Sequence, residues 1–344
     1  MTITTPTQGK DAPAGSRATR RALTLLGGLV VLGLALCASV MFGSSDTSFG
    51  DVVDVLTGSA DADTTTIVES RYPRTAIGVL AGVCLAVAGT LMQGVTRNPL
   101  ADPGLLGINA GAAASVVAAT AFLGATGSTA SMWWALPGAL GAGLVVHVIG
   151  SAGGSTSLVR LVLAGAVLTA VLTAFVQAVT LSKPDVFDSY RYWVVGALGG
   201  RDTDVLLSVL PFAVVGLCLA APLAPGLNAL ALGNESATAL GARPALVRAV
   251  GLLAATTLSA ASTAAVGPIA FIGLAVPHVV RALVGIDFRL QLAFSAIAGP
   301  ALLLLADVVG RILLKPQELM VGVVTAFIGA PALLYAVRRM RGAA

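Results

Sequence analysis

The feature that constrains this chain most is its succession of long apolar runs separated by short polar joints. The runs fall at about 22–42, 73–95, 104–124, 132–150, 158–181, 203–223, 246–266, 268–285, 290–314 and 319–337. A helix rises about 1.5 Å per residue, so a run of roughly twenty residues is long enough to cross about 30 Å of hydrocarbon. Inside a bilayer the backbone must satisfy its own hydrogen bonds, and these runs have the length of membrane-crossing helices. The expected fold class is therefore all-α, a polytopic membrane helix bundle of about ten transmembrane helices. A soluble core has no room for such a chain: 56% of its 344 residues are hydrophobic and only 10% are charged. Two runs stand apart. Gly and Ala dominate 104–124, whereas 268–285 begins at a Gly-Pro and contains Pro277 and His278, so either is expected to be short, broken or re-entrant.

Charge orients the bundle. With the N-terminus in the cytoplasm, the inner joints hold Lys10, Arg17, Arg20, Arg21, Arg97, Arg160, Arg243, Arg248, Arg281, Arg289, Arg338, Arg339 and Arg341, and the outer ones hold seven basic residues. Most acids, including Asp46, Asp51, Asp54, Asp61, Asp63, Asp185 and Glu318, fall outside. The positive-inside rule then sets both termini in the cytoplasm. The net charge of +4 is spread along these joints, not gathered on one face, so no nucleic-acid partner is expected.

Residues 1–21 read as a disordered cytoplasmic tail and 22–344 as a single transmembrane domain. Spans 2–5 and 7–10 would enter the membrane from opposite sides, the arrangement of an inverted repeat. Gly78, Gly82, Gly89, Gly322 and Gly329 suit close helix approach, since in lipid the helices associate through packing. Cys37, Cys84 and Cys218 lie inside apolar runs without CxxC spacing and read as packing residues. His147 and His278 are each isolated, so no metal site is expected. Asp307 is the one clear acid within a span, and Arg311 at i+4 suggests a structural ion pair. A proton- or sodium-coupled transporter would need several such intramembrane acids. A membrane enzyme would need an HExxH, GxSxG or paired-carboxylate pattern, and none occurs.

The most specific stretches are Arg71-Tyr72-Pro73-Arg74, Gln93-Gly94, and Asn98 through Gly107 (NPLADPGLLG). They are followed by Leu232-Gly233-Asn234-Glu235-Ser236-Ala237 with Leu240-Gly241, then Gly267 to Leu274 (GPIAFIGL) leading into Pro277-His278. Ala306-Asp307, Arg311, Pro316 and Glu318-Leu319 close the series. In this order, from about residue 70 to the C-terminus, the motifs resemble the bacterial permeases that import ferric siderophores, haem and cobalamin, the FecCD-type subunits of type II ABC importers.

The resemblance implies a permease subunit in the bacterial cytoplasmic membrane that moves a ferric siderophore by alternating access, with haem or cobalamin as the alternative cargo. It implies no enzyme activity and no cofactor in this chain. ATP and Mg2+ belong to two partner ATPase subunits, in keeping with the absence of a GxxxxGK[ST] phosphate loop here. A second permease subunit, copy or paralogue, and an extracytoplasmic substrate-binding protein complete the expected assembly within membrane lipid.

Residue by residue, the resemblance makes Arg71, Arg74 and Arg311 receptors for glutamates of the binding protein, with snorkelling at a helix end as the competing reading. Leu232, Gly233, Asn234, Glu235, Ser236, Ala237, Leu240 and Gly241 become the coupling element that sits on an ATPase; the other reading is an ordinary loop. Thr169, Thr173 and Gln177, at helical spacing on the fifth span, become pathway-lining groups or else interhelical hydrogen-bonding ones. Gly153, Gly154 and Ser155 before that span become a cytoplasmic gate.

Overall fold

A computed structural model describes residues 14–45, 47–151 and 158–341. Among these residues the ordered elements are helices. They are α1 (Ala14–Met41), α2 (Phe49–Thr57), α3 (Ala62–Glu69), α4 (Arg71–Thr96), α5 (Ile108–Leu123), α6 (Ser128–Ser151), α7 (Leu158–Ser182) and α8 (Pro184–Val194). The second half holds α9 (Thr203–Ala220), α10 (Ala224–Ala231), α11 (Asn234–Ala239), α12 (Pro244–Val266), α13 (Ile272–Val284), α14 (Phe288–Leu313) and α15 (Val321–Arg341). Every apolar run of the sequence becomes a helix. Seven of them are long and apolar enough to cross a membrane, and three further apolar helices, Ile108–Leu123, Ile272–Val284 and Val321–Pro331, are shorter.

Helix α1 begins inside the stretch expected to be tail. Ala14–Arg21 are helical, because Ala and Arg are strong helix formers that extend the turn of the apolar run behind them. Local chemistry also sets the surface helices. Ser48 and Asp51 form a reciprocal capping box at the start of α2, and Gly58 in the left-handed region ends it.

Helix α4 forms the axis of the bundle and is buried almost all round from Ala81 to Thr96. It runs antiparallel to α14: Gly78 meets Leu304, Gly82 meets Pro300, Thr90 bonds Ser295 at 2.8 Å, and Gly94 meets Phe288. A Cβ at Gly82 would overlap the Pro300 backbone, so only glycine permits this approach. Helix α12 is the other buried core helix, whereas α1 and α7 turn many large apolar side chains outward, such as Leu26 and Leu34 or Leu163 and Val171.

The halves repeat in form. Helices α4, α5, α6 and α7 have 26, 16, 24 and 25 residues, and α12, α13, α14 and α15 have 23, 13, 26 and 21. The second member is short in both. Each short helix begins after a residue in the left-handed region, Gly107 before α5 and Phe271 before α13. The connecting segment 98–107 folds inward until Asp102 meets Gly273, and Gly273 in turn packs against Gly89 of α4, about 27 Å along that helix from Arg71. Backbone that is not helical is thereby buried among helices, the only setting where a membrane protein tolerates it.

Candidate functional site

The Arg71-Tyr72-Pro73-Arg74 motif opens α4, so its two guanidinium groups stand one turn apart at one end of the bundle. Each is consumed differently. Arg71 is buried, and its Nη1 donates to the Val40 and Met41 carbonyls and to Thr47 Oγ1, each at 2.8 Å, while Nη2 donates to the Ser45 carbonyl at 3.1 Å. These bonds tie the chain after α1, whose last carbonyls lack helical partners, to the start of α4.

Arg74 grips α14. Its Nε and Nη2 donate to the two oxygens of Asp307 at 3.0 and 2.8 Å, and Nη1 donates to Glu318 Oε2 at 2.8 Å. Arg311 lies one turn beyond Asp307, 3.1 Å from its Oδ2, and also donates to the Ser39 carbonyl and hydroxyl at 2.9 and 3.1 Å. Asp307 and Arg311 are each only 1% exposed. A buried ion held this way needs several partners to offset its desolvation, and here one carboxylate is shared between two arginines. Burial pushes the Glu318 carboxyl up, but the hydrogen bond and charge of Arg74 pull more strongly, and it lies below the ordinary 4.5.

Around these groups opens a polar cavity of about 320 Å³. Its walls are Gly43–Ser45 after α1, Ser70–Arg74 at the start of α4, Gly199–Asp202 before α9, and Arg311 with Glu318. Arg71 and Arg311, expected to face a docking protein, are therefore buried with partners inside the chain. Arg74 is committed to two carboxylates.

The opposite end, where α4 stops at Thr96, carries α10 and α11. Gly233 and Gly241, both at positive φ, bracket the single short helix α11. Ala237 is buried beneath it, and Asn234 Oδ1 accepts a 2.6 Å bond from Arg248 of α12, which fixes its base. Asn234, Glu235, Ser236 and Thr238 are exposed, as are Leu232 and Leu240 at 65% and 66%. Two bare leucines thus stand on a polar loop at this end of the bundle.

On α7, Thr173 and Gln177 are exposed among Val171 and other apolar side chains, whereas Thr169 is half-buried beside Gly107. The three residues share a helix but not an environment. Gly153, Gly154 and Ser155 lie outside the described residues. His147 borders a cleft of about 690 Å³ between α6, α9 and α12 and is the one titratable group there among apolar walls. Apart from His147, Thr256 and Thr257, the lining is apolar and offers few bonds to a charged chelate.

The FecCD transport family matches residues 30–339. This chain belongs to that family. It is a FecCD permease, a multi-pass membrane protein, and among its curated relatives is the ferric enterobactin transport system permease FepD of Escherichia coli (strain K12). That relative is 46% identical over 95% of this chain and 98% of its own length. The Fe(3+)-citrate import system permease YfmD of Bacillus subtilis (strain 168) is 39% identical over 95% and 98%. Among solved structures, one described as an inward-facing conformation of a metal-chelate type ABC transporter superposes with a TM-score of 0.81 at 25% identity, covering 92% of this chain and 99% of its own.

For this FecCD permease, sequence reasoning singled out the arginines at its Arg71 end and the Asp307–Arg311 pair, which meets at 3.1 Å, but not the partners of Arg71 and Arg74. The bidentate grip of Arg74 on Asp307 joins residues 233 positions apart, and no local pattern signals it. Ser39 was overlooked inside the first apolar run, although a hydroxyl there is the kind of group that bonds a neighbouring helix. Arg201 was overlooked as well. It follows Gly199-Gly200 in a joint with no resemblance motif, yet it lines the polar cavity beside the other three arginines.

Proposed function

We propose that this permease is one half of the membrane channel of a bacterial ABC importer for ferric siderophore-type chelates. The observation that carries the cargo class is the near full-length similarity to a ferric enterobactin permease. In this reading the Arg71 end faces outward and receives a cargo-loaded binding protein over the polar cavity. The α11 end faces the cytoplasm, with both termini on that side.

Two ATPase subunits, which hold ATP and Mg2+, meet α11 of this chain and its counterpart on a second permease subunit. The exposed Leu232 and Leu240 seat in the ATPase, and Arg248 with Asn234 passes the motion into α12. Closure of the ATPases then shifts the bundles as rigid bodies and turns the pathway from one side of the membrane to the other. The outward apolar surface of α7, with Thr173 and Gln177, faces that pathway between the two permeases.

Uptake of radiolabelled iron on defined siderophores tests this in a strain lacking the permease gene. Restoration by the wild-type gene for at least one ferric siderophore, abolished when ATP is depleted, is expected. Restored growth and uptake on haem or cobalamin with no response to any ferric siderophore would overturn the cargo class.

A further inference from the structure

Where α9 runs into α10, the surface of the bundle is dented. Helices α9 and α14 both pack on α4, and between them lies a groove of about 370 Å³ that reaches down to Val87 of α4. The short side chains of Ala220, Ala224, Ala293 and Ala296 leave this depression, and Leu217 and Leu292 add its larger apolar groups. Arg289, in the first turn of α14, is the one charged group in the lining among the described residues. From Arg289 to Ala296 the helix rises about 10 Å, so the groove extends roughly a third of the way across the hydrocarbon. Arg289 is exposed, and its guanidinium makes no hydrogen bond or ion pair among the described residues. Asp287, two residues earlier, is engaged elsewhere: it accepts from Asn228 at 2.8 Å and from the Arg289 backbone N–H at 3.0 Å. The Asn228 bond holds the Asp287 carboxyl below the usual carboxylate range, and the charges of Arg289 and of Arg21 from α1 add to the pull. Two guanidinium groups thus stand near one carboxylate, which leaves a positive charge in excess beside the mouth of the groove.

A groove facing hydrocarbon does not stay empty, because bare walls forfeit their dispersion contacts. This one is graded along its length. A cation stands where α14 leaves the hydrocarbon, and only apolar side chains lie deeper in. That is the polarity of a phospholipid with its headgroup at the interface, and the excess positive charge selects an anionic one. We propose that the groove between α9 and α14 is a binding site for an anionic phospholipid, with an acyl chain along Val87, Leu217 and Ala296 and the phosphate at Arg289. In the orientation proposed above, the lipid comes from the cytoplasmic leaflet. It bridges α9, α10 and α14 at the point where Asn228 of α10 is knotted to the start of α14, donating to Asp287 and accepting from the Phe288 N–H at 2.9 Å. Helix α10 leads on into α11, so the bound lipid braces the base of that element.

The test is native mass spectrometry of the assembled transporter in detergent, titrated with dioleoyl-phosphatidylglycerol or dioleoyl-phosphatidylcholine. Wild type is expected to bind phosphatidylglycerol the more tightly of the two. R289Q should weaken that binding about five-fold, the effect of one basic residue on an anionic headgroup, and R289K, which keeps the charge, should stay close to wild type. A296F fills the groove without touching the charge and should also lose the lipid; A293F, at an exposed position of the same wall, repeats the test if A296F does not fold. R243Q, at an exposed arginine that does not line the groove, serves as the control. Phosphatidylglycerol should likewise raise the unfolding temperature of wild type more than that of R289Q. Loss of binding in R289Q with the groove-filling variants unchanged would reduce the effect to attraction at the surface and overturn the site. Equal binding of the two lipids by wild type, or a loss in R243Q as large as that in R289Q, would overturn it as well.

Discussion

Arg74 and Asp307, 233 positions apart in the chain, meet through two parallel hydrogen bonds of 2.8 and 3.0 Å, and this contact fixes the start of α4 against the last turns of α14. Arg311 completes the arrangement from the next turn of α14. Since Asp307 is the shared anion, removing it leaves the buried Arg311 without a carboxylate and Arg74 with Glu318 alone.

Asp307→Asn should therefore destabilise the protein by about 3–5 kcal/mol, the cost of breaking a buried ion pair from one side. Glu318→Gln should cost much less, because that carboxylate is one-third exposed and only one arginine depends on it. Thermal unfolding of the purified protein in detergent measures both. Equal losses would show that Asp307 holds no special place in the network.

Acid should weaken the same end of the molecule. The Glu318 pKa lies below its ordinary 4.5 in the folded chain, so its stabilising contribution is present above that value and is lost as pH falls through the lower folded pKa. Wild type and Glu318→Gln should differ in unfolding temperature at neutral pH and converge as pH falls below 4.5 and through the lower folded pKa of Glu318. A constant gap across the whole acid range would contradict the assignment.

At the other end, replacing Glu235–Leu240 with a flexible Gly-Ser linker should abolish transport while leaving yield and unfolding temperature close to wild type. The milder pair Leu232→Ser and Leu240→Ser should reduce coupled ATP hydrolysis, because both leucines are exposed and contribute little to the fold. Uptake unaffected by the linker would exclude a coupling role.

Packing inside the bundle gives a sharper expectation. Gly89→Leu forces a side chain into the Gly273 backbone, where α4 crosses the start of α13, and should cost at least about 3 kcal/mol or prevent folding. Gly141→Leu has open space around its Cα and should be tolerated. Comparing the expression and melting of the two variants separates a packing requirement from a general intolerance of large residues.

Cysteines placed at Thr173 and Gln177 should react with a water-soluble thiol reagent in a way that depends on ATP, and one at the half-buried Thr169 should react slowly in every state. Labelling of Thr173 and Gln177 that never varies would argue that this face of α7 meets lipid rather than the pathway.

The apolar runs were legible because hydropathy is a local property: a run of twenty apolar residues has one stable answer in a bilayer, and each became a helix. The two irregular runs announced themselves by glycine and proline and became the short helices α5 and α13. Residues 14–21 misled because polarity alone does not stop a helix once a neighbouring span has nucleated it. The arginine cavity was legible only in part. Its motifs located Arg71, Arg74 and Arg311, but the state of a guanidinium depends on what folds against it. Ser39, Asp307 and Glu318 come from α1, α14 and the joint beyond it, and their nearness to α4 exists only once the helices have packed.

By itself, then, the amino-acid sequence determined which runs become apolar helices and which family its motifs follow, because both depend on residues close together in the chain. Apart from the Asp307–Arg311 pair within α14, tertiary structure alone decided which of the cavity arginines are already bonded and that Arg201 has no acceptor among the described residues, because the other hydrogen bonds and ion pairs in this cavity join helices that are far apart in sequence.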